Sequence, residues 1–372
     1  MITVAIVGQT PPPFGGQAVM IEHLLSGKYR NVRLVHVRMA FSKKMDSAGR
    51  FKVSKLWELF SVLTRIVVAR VWEMAQVLYY PPAGPDLVPV WRDIVLLVVT
   101  RWMFRATIFH FHASGLSEVY ETIPRPLRFL FRVAYSRPDV AVCMSGRTAK
   151  DAKFLKSRQE FIVPYGIEDD AARWITSRNP ADVVAHILFV GVLREDKGIF
   201  VLIRACHLLF QAGVRFRVTC VGEFGSEEFR SSLMKYLATN GLTECIAFPG
   251  VLSGDAKFAA YSKADIFCFP SFFHSEAFPV VLLEALSFAL PIVCTDWRGI
   301  PDIVDDRCAF LVPIQDEFAV ADKLRVLIEN PDQRHTMGMA GRKRFLERFT
   351  LERYFASLQP VFEHLEEKLD RP

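Results

Sequence analysis

The 372-residue chain lacks most of the signatures that would take it out of a reducing, aqueous compartment. Its seven cysteines stand singly and none forms a Cys-x-x-Cys pair, which argues against both a disulfide framework and a zinc site. No basic leader precedes the first apolar run, MITVAIVG, so no secretory signal is expected. The most apolar stretch, residues 94–100, is stopped by Asp93 and Arg101, too short to span a bilayer. No Asp-x-Asp stands at a strand end suited to Mg²⁺: Glu168-Asp169-Asp170 falls in a polar linker and Asp305-Asp306 in a surface-type turn. Internal repeats and low-complexity tracts are missing too. The expectation is a cytoplasmic protein without a bound metal or cofactor.

What is present is a globular composition, 51% hydrophobic and 23% charged, in a chain too long for one ordinary core. Two domains of similar size are expected. Charge is shared unevenly. Residues 1–150 hold 20 Lys and Arg against 9 Asp and Glu, a balance of +11; the remainder holds 26 against 31, a balance of −5, giving +6 in all. A basic first half asks for an anionic partner, a lipid surface or a nucleic acid. The interleaved aromatics of RNA-binding modules are missing, so nucleic acid is not expected.

Strand-like runs at residues 2–7, 32–38, 107–112 and 139–144 alternate with helical patterns, one of them a long apolar and basic stretch over 51–79. The text turns polar around 168–182, and a second series follows, with strands at 187–191, 215–222, 246–248, 264–270, 292–295 and 309–312. Such alternation predicts doubly wound parallel sheets. The expected boundaries are a first domain over 1–168, a linker over 169–182, a second domain over 183–353, and a last helix over 354–372 that crosses back to the first.

The densest chemistry lies in Ser-Glu276-Ala-Phe-Pro-Val-Val-Leu-Leu-Glu284-Ala. An apolar strand precedes it, so Glu276 falls in a loop and Glu284 about two turns into a helix. Pro279 suits the first helical position, and the N–H groups of Val280 and Val281 then face the loop beside the positive end of the helix dipole. A carboxylate next to an anion site suits a ligand that is both hydroxylated and phosphorylated. A nucleotide sugar is one. Two glutamates at this spacing are common by themselves, so the reading needs support elsewhere in the chain.

That support is an ordered set of motifs. Phe189-Val-Gly191-Val-Leu-Arg194-Glu-Asp-Lys197-Gly198 comes first, then Val221-Gly222 and Phe248-Pro-Gly250. Ala264-Asp-Ile-Phe-Cys-Phe-Pro270-Ser271, the double-glutamate segment, Gly299-Ile-Pro-Asp-Ile-Val304, Phe310-Leu-Val-Pro313 and Met337-Gly-Met-Ala-Gly-Arg342 follow. Gly15-Gly16, Phe111-His112, Met144-Ser145 and Val163-Pro-Tyr-Gly-Ile167 add to it in the first half. The chain resembles the glycosyltransferase family 4 enzymes of GT-B fold, in which two Rossmann-like domains face each other across a cleft. The resemblance spans nearly the whole chain and is strongest over residues 189–349.

The resemblance implies a retaining, metal-independent transfer of a hexose-type sugar from a nucleoside diphosphate sugar to a glycan or lipid-linked acceptor, as in polysaccharide biosynthesis. Glu284 would accept the ribose hydroxyls, and Glu276 would hold a hydroxyl of the donor sugar near the reacting carbon. Lys197 would neutralise the diphosphate, and Gly15 and Gly16 would let backbone approach the β-phosphate. His112 would lie under the sugar and the acceptor. Gly222, Phe278, Val280 and Val281 complete the implied donor contacts. Many relatives have arginine directly after the glycine of the first strand in the second domain. Here that place is Val192, and Arg194 either reaches the diphosphate or is a solvated loop charge. His110 reads as structural and Ser145 as a helix cap. The basic, aromatic stretches at 51–79, 101–105 and 125–132 either face the domain core or meet anionic lipid; both readings stay open. Two alternatives remain: a GT-B nucleotide-sugar epimerase, and an inactive basic protein that binds lipid or nucleic acid.

Overall fold

The computed structural model of the chain describes residues 1–12, 15–39, 54–174 and 184–370, with side chains omitted at 54–56. Pro13, Phe14, Lys52 and most of the expected linker therefore lie outside the described residues, as do the side chains of Lys55 and Leu56. The chain divides into two compact units, one of residues 1–165 and 351–372 and one of residues 166–350.

The first unit is built on six parallel strands: β1 (Ile2–Gly8), β2 (Val32–Arg38), β3 (Val77–Tyr80), β4 (Ala106–Phe111), β5 (Val140–Cys143) and β6 (Gln159–Ile162), in the order β2-β1-β3-β4-β5-β6. β1, β3, β4 and β5 are buried along their whole length, which is why they read as unbroken apolar runs. The edge strands β2 and β6 alternate with charged or polar residues instead. Two of the six were not expected. β3 falls inside the stretch taken as helical over 51–79, because its four residues follow the helix Ser54–Val71 after only a short turn. β6 is short and half polar, so its pattern is faint.

Helix Ser54–Val71 buries Val62, Ile66 and Ala69 against the sheet, a stripe at helical spacing. The helix Leu351–Asp370 packs within this unit. Tyr29 meets Phe355 and Phe362 edge-on, Arg105 donates to the Leu369 carbonyl at 2.8 Å, and Lys368 pairs with Asp139.

The second unit repeats the plan with β7 (Ala185–Val190), β8 (Phe216–Val221), β9 (Ile246–Gly250), β10 (Ile266–Phe269), β11 (Ile292–Thr295) and β12 (Ala309–Val312), all parallel, in the order β12-β11-β10-β7-β8-β9. The chain enters this unit at Gly166 and leaves at Thr350, and Ile167 bridges to Thr350 there. The start of the expected linker belongs to this unit rather than to a tether. Asp169 takes both guanidinium nitrogens of Arg342, at 2.5 and 2.6 Å, which fastens residues 169–173 to the helix Pro331–Arg348. All seven cysteines are free, and all but Cys245 are buried; burial raises the thiols of those six, Cys308 to about 11, so they are packing groups rather than nucleophiles.

Candidate active site

In an open parallel sheet the loops after two neighbouring strands diverge where the strand order reverses, and the crevice between them accepts ligands. In the second sheet that point lies between β7 and β10, since β7 leads to β8 on one side and pairs with β10 on the other. The loop after β7 carries Arg194 and Lys197. The loop after β10 carries Ser271 and Glu276.

These groups meet. Lys197 Nζ lies 2.7 Å from Glu276 Oε2, and Ser271 Oγ donates to the same oxygen at 2.8 Å. Lys197 and Glu276 are largely buried, at 17% and 9% side-chain exposure, so each depends on the other for charge compensation. Glu276 Oε1 has no protein partner among the described residues and remains an available acceptor. Phe273 lies under the Lys197 ammonium at 4.3 Å and the Arg194 guanidinium at 5.1 Å. The loop that presents Lys197 is fixed by Gly198, whose φ of +78° and contact with Pro270 leave no room for a side chain; an added Cβ would fall 2.0 Å from the Pro270 carbonyl oxygen. Thr295 ties the other loop by donating to the Ser271 carbonyl at 2.5 Å, and Trp297 donates to the Phe273 carbonyl at 2.8 Å. Arg194 is held by both oxygens of Asp196, at 2.9 and 2.5 Å, and shares the Phe273 ring with Lys197 while its side chain stays 42% exposed.

Helix Val280–Ser287 has Pro279 as its N-cap, so it starts one residue later than expected, and no side chain caps it. Glu284 is therefore little more than one turn in, not two. Its carboxylate is shared by Lys257 Nζ at 2.6 Å and Tyr261 Oη at 2.8 Å, both from the helix Gly254–Lys263. Neither was foreseen. Their signal was a Lys and a Tyr at i, i+4, on one face of the helix leading into β10. Val280 and Val281 are half-buried at the helix start. Phe278 is buried with its ring against the Phe349 ring, centroids 6.0 Å apart, so a donor contact there would fall to its backbone. Gly222 takes φ +147° where β8 ends, and a Cβ there would lie 1.8 Å from the Gly191 carbonyl oxygen. It is needed by the backbone itself.

The first unit has its own switch point, between β1 and β3. Gly15 caps the helix Gly16–Ser26, which has no acid in its first turn and no capping side chain. Among the described residues nothing lies within 4 Å of a Cβ added at Gly15. His112 follows β4. Tyr79 Oη lies 2.6 Å from His110 Nδ1 and 3.1 Å from His112 Nε2, and His112 Nδ1 bonds the Tyr165 hydroxyl. The four groups form a neutral chain. Burial pushes His112 down to about 3 and lowers His110 well below its ordinary range, so both imidazoles are uncharged at neutral pH. His110 Nε2 has no partner among the described residues, so the arrangement with the His110 proton on Nδ1 leaves a bare lone pair there rather than a stranded N–H. His112 then accepts from Tyr79 and donates to Tyr165. Ser145 Oγ accepts the Thr148 N–H at 3.3 Å and closes a local turn.

Residues 173–344 match the family model for glycosyl transferases group 1, so the second unit carries a domain of that family. The O-antigen chain mannosyltransferase C of Escherichia coli is 28% identical over 250 residues, 64% of this chain and 62% of that protein. The amylovoran biosynthesis glycosyltransferase AmsK of Erwinia amylovora is 30% identical over 185 residues, 48% of this chain and 45% of that protein. The matches span only about half to three-fifths of these curated relatives. The Anabaena protein Alr3699/HepE, solved in complex with UDP-glucose, superposes with a TM-score of 0.73 at 14% identity, covering 98% of this chain and 100% of that one. The fold is GT-B, two Rossmann-like units.

Proposed function

We propose, from the premise of a group 1 domain on a GT-B fold, that the protein is a retaining, metal-independent glycosyltransferase. It would move a hexose-type sugar from a nucleoside diphosphate sugar to a lipid-linked or glycan acceptor. The observation that carries this reading is the Lys197–Glu276 pair at the crevice between β7 and β10. Departure of a nucleoside diphosphate builds negative charge on its phosphates, and a fixed cation must meet it. Lys197 has three N–H donors, of which Glu276 engages one, so it can bind a phosphate without releasing its carboxylate. Glu276, turned by Lys197 and Ser271, offers Oε1 to a sugar hydroxyl. Its charge also favours the oxocarbenium character of the reacting carbon.

Glu284 is prepared in the same way. Lys257 and Tyr261 engage one oxygen each, and each oxygen keeps a lone pair for a ribose hydroxyl. The uncapped N–H groups at Val280 supply further donors for phosphate. The two relatives are named for O-antigen chain mannosyl transfer and amylovoran biosynthesis, and the structural neighbour was solved with UDP-glucose, which supports a nucleotide-sugar donor. His112 and Gly16 of the first unit belong to this reading as acceptor-side and phosphate-side groups. A panel of nucleoside diphosphate sugars in a thermal-shift assay, followed by transfer assays with the stabilising donor, tests it. Stabilisation by one donor and loss of transfer in Glu276→Ala are expected. Near wild-type transfer by that variant would refute the role given to Glu276.

A further inference from the structure

We infer that the first unit docks on an anionic lipid bilayer through the outer face of three helices, Ser54–Val71, Leu87–Thr100 and Arg128–Tyr135. Strand order places them together. The connections β2→β3, β3→β4 and β4→β5 all run in one direction across the sheet, so right-handed crossovers put their helices on one face. β1→β2 runs the other way and puts the helix Gly16–Ser26 on the opposite face. The first helix packs on the second and the second on the third.

Each helix already buries an inner stripe: Val62 and Ile66, Ile94 and Leu97, Phe131 and Ala134. Their outer sides should then be polar. Instead Trp57 is 75% exposed and Phe129 69%, with Phe60 and Val99 also out, and the turns that directly follow the first two helices add Trp72 at 75% and Trp102 at 78%. An apolar surface of this extent on one face marks an interaction site. Tryptophan at the border of apolar and polar groups is the side chain that bilayer interfaces favour.

Charge selects the partner. Arg125, Arg132 and Arg137 are exposed on this side and have no acidic partner among the described residues. Arg132, Arg137 and Lys156 line a cavity of about 400 Å³ with Tyr120 and Phe154, where an acidic headgroup can enter. A second copy of the chain would set these arginines against each other, whereas an anionic leaflet neutralises them. Among the described residues no helix is long and apolar enough to cross a membrane, so the contact is interfacial. The consequence for the acceptor rests on the transferase reading, since a docked first unit would meet lipid-linked substrates. The docking itself does not.

Co-sedimentation of the full chain with phosphatidylcholine–phosphatidylglycerol vesicles, and with pure phosphatidylcholine vesicles, tests the inference without any donor present. Binding to the mixed vesicles that weakens with salt is expected. Arg132→Gln/Arg137→Gln should lose about 25-fold in affinity, at roughly fivefold per arginine. Trp102→Ser/Phe129→Ser should lose binding while keeping its melting temperature and its donor-induced thermal shift. Equal binding to both vesicle types, or wild-type binding by both variants, would overturn it. So would a wild-type dimer that ignores vesicles and that Trp102→Ser/Phe129→Ser dissolves into monomers, which would assign the face to a second copy.

Discussion

The two sheets carry related strand orders about their switch points, β2-β1-β3-β4 in one unit and β8-β7-β10-β11 in the other, yet what stands at those points is opposite in kind. At the second, two lysines and two glutamates pair at 2.6 and 2.7 Å. In the first sheet, Tyr79 of β3 joins His110 and His112 from the end of β4 and Tyr165 in an uncharged chain, and the helix after β1 is capped only by glycine. The sheet topology decides where a ligand can lie; the loop side chains decide its charge and which part of it they hold. A charged, hydroxyl-binding crevice suits an activated donor. A neutral, aromatic one suits a group that must not be captured as an ion.

The largest effect should come from breaking the charged side. Glu276→Ala is expected to cut turnover by about 10³-fold, within the range for a positioned carboxylate at the reacting centre. It also leaves Lys197 short of its counter-charge, at a cost of about 3 kcal/mol in chemical denaturation. Lys197→Met/Glu276→Leu should restore most of that stability while staying inactive, because an apolar pair replaces an ion pair at little cost. If the double variant were no more stable than the single one, the pair would not be the source of the loss. Glu284→Ala comes next. Losing hydrogen bonds from ribose hydroxyls to a charged group should weaken donor binding roughly 10- to 100-fold in a calorimetric titration, with the acceptor KM unchanged.

The neutral side should reveal itself through pH. His112 titrates near 3 when folded and near 6.5 when unfolded, so below about pH 6.5 the unfolded chain takes up the proton first. Stability is therefore complete above that pH and is lost as pH falls toward 3, by about 2–3 kcal/mol at pH 4.5 from this residue. Melting curves in His112→Gln should show a flatter acid limb than wild type; an unchanged slope would mean His112 is not held neutral. The smallest effect is expected at Gly15→Ala. Among the described residues nothing lies within 4 Å of the added methyl group, so melting temperature should hold, while the phosphate role proposed for this loop predicts a drop of about tenfold in donor affinity. A variant with full affinity would remove Gly15 from the donor's reach.

Ten of the twelve strands were legible because buried parallel strands write themselves as apolar runs. β3 was lost inside a helical pattern, since Val77–Tyr80 sits close behind helix Ser54–Val71 and four apolar residues fit either period. At the site, Lys197, Glu276 and Glu284 were legible from motif text, but their partners were not. Lys257 and Tyr261 reach Glu284 across 27 and 23 residues of sequence, and Tyr79 reaches His112 across 33. Such meetings are products of the sheet order, which no local pattern contains. Phe278 shows the converse: it stands between the two glutamates in sequence, but its ring packs into the core.

Isothermal titration of the wild-type chain with nucleoside diphosphate sugars, run with EDTA throughout, bears most directly on the lysine–glutamate crevice as a metal-free donor site. Saturable heat with at least one donor, lost in Lys197→Met, is the expected result. No heat with any donor, or heat that returns only when Mg²⁺ is restored, would contradict it.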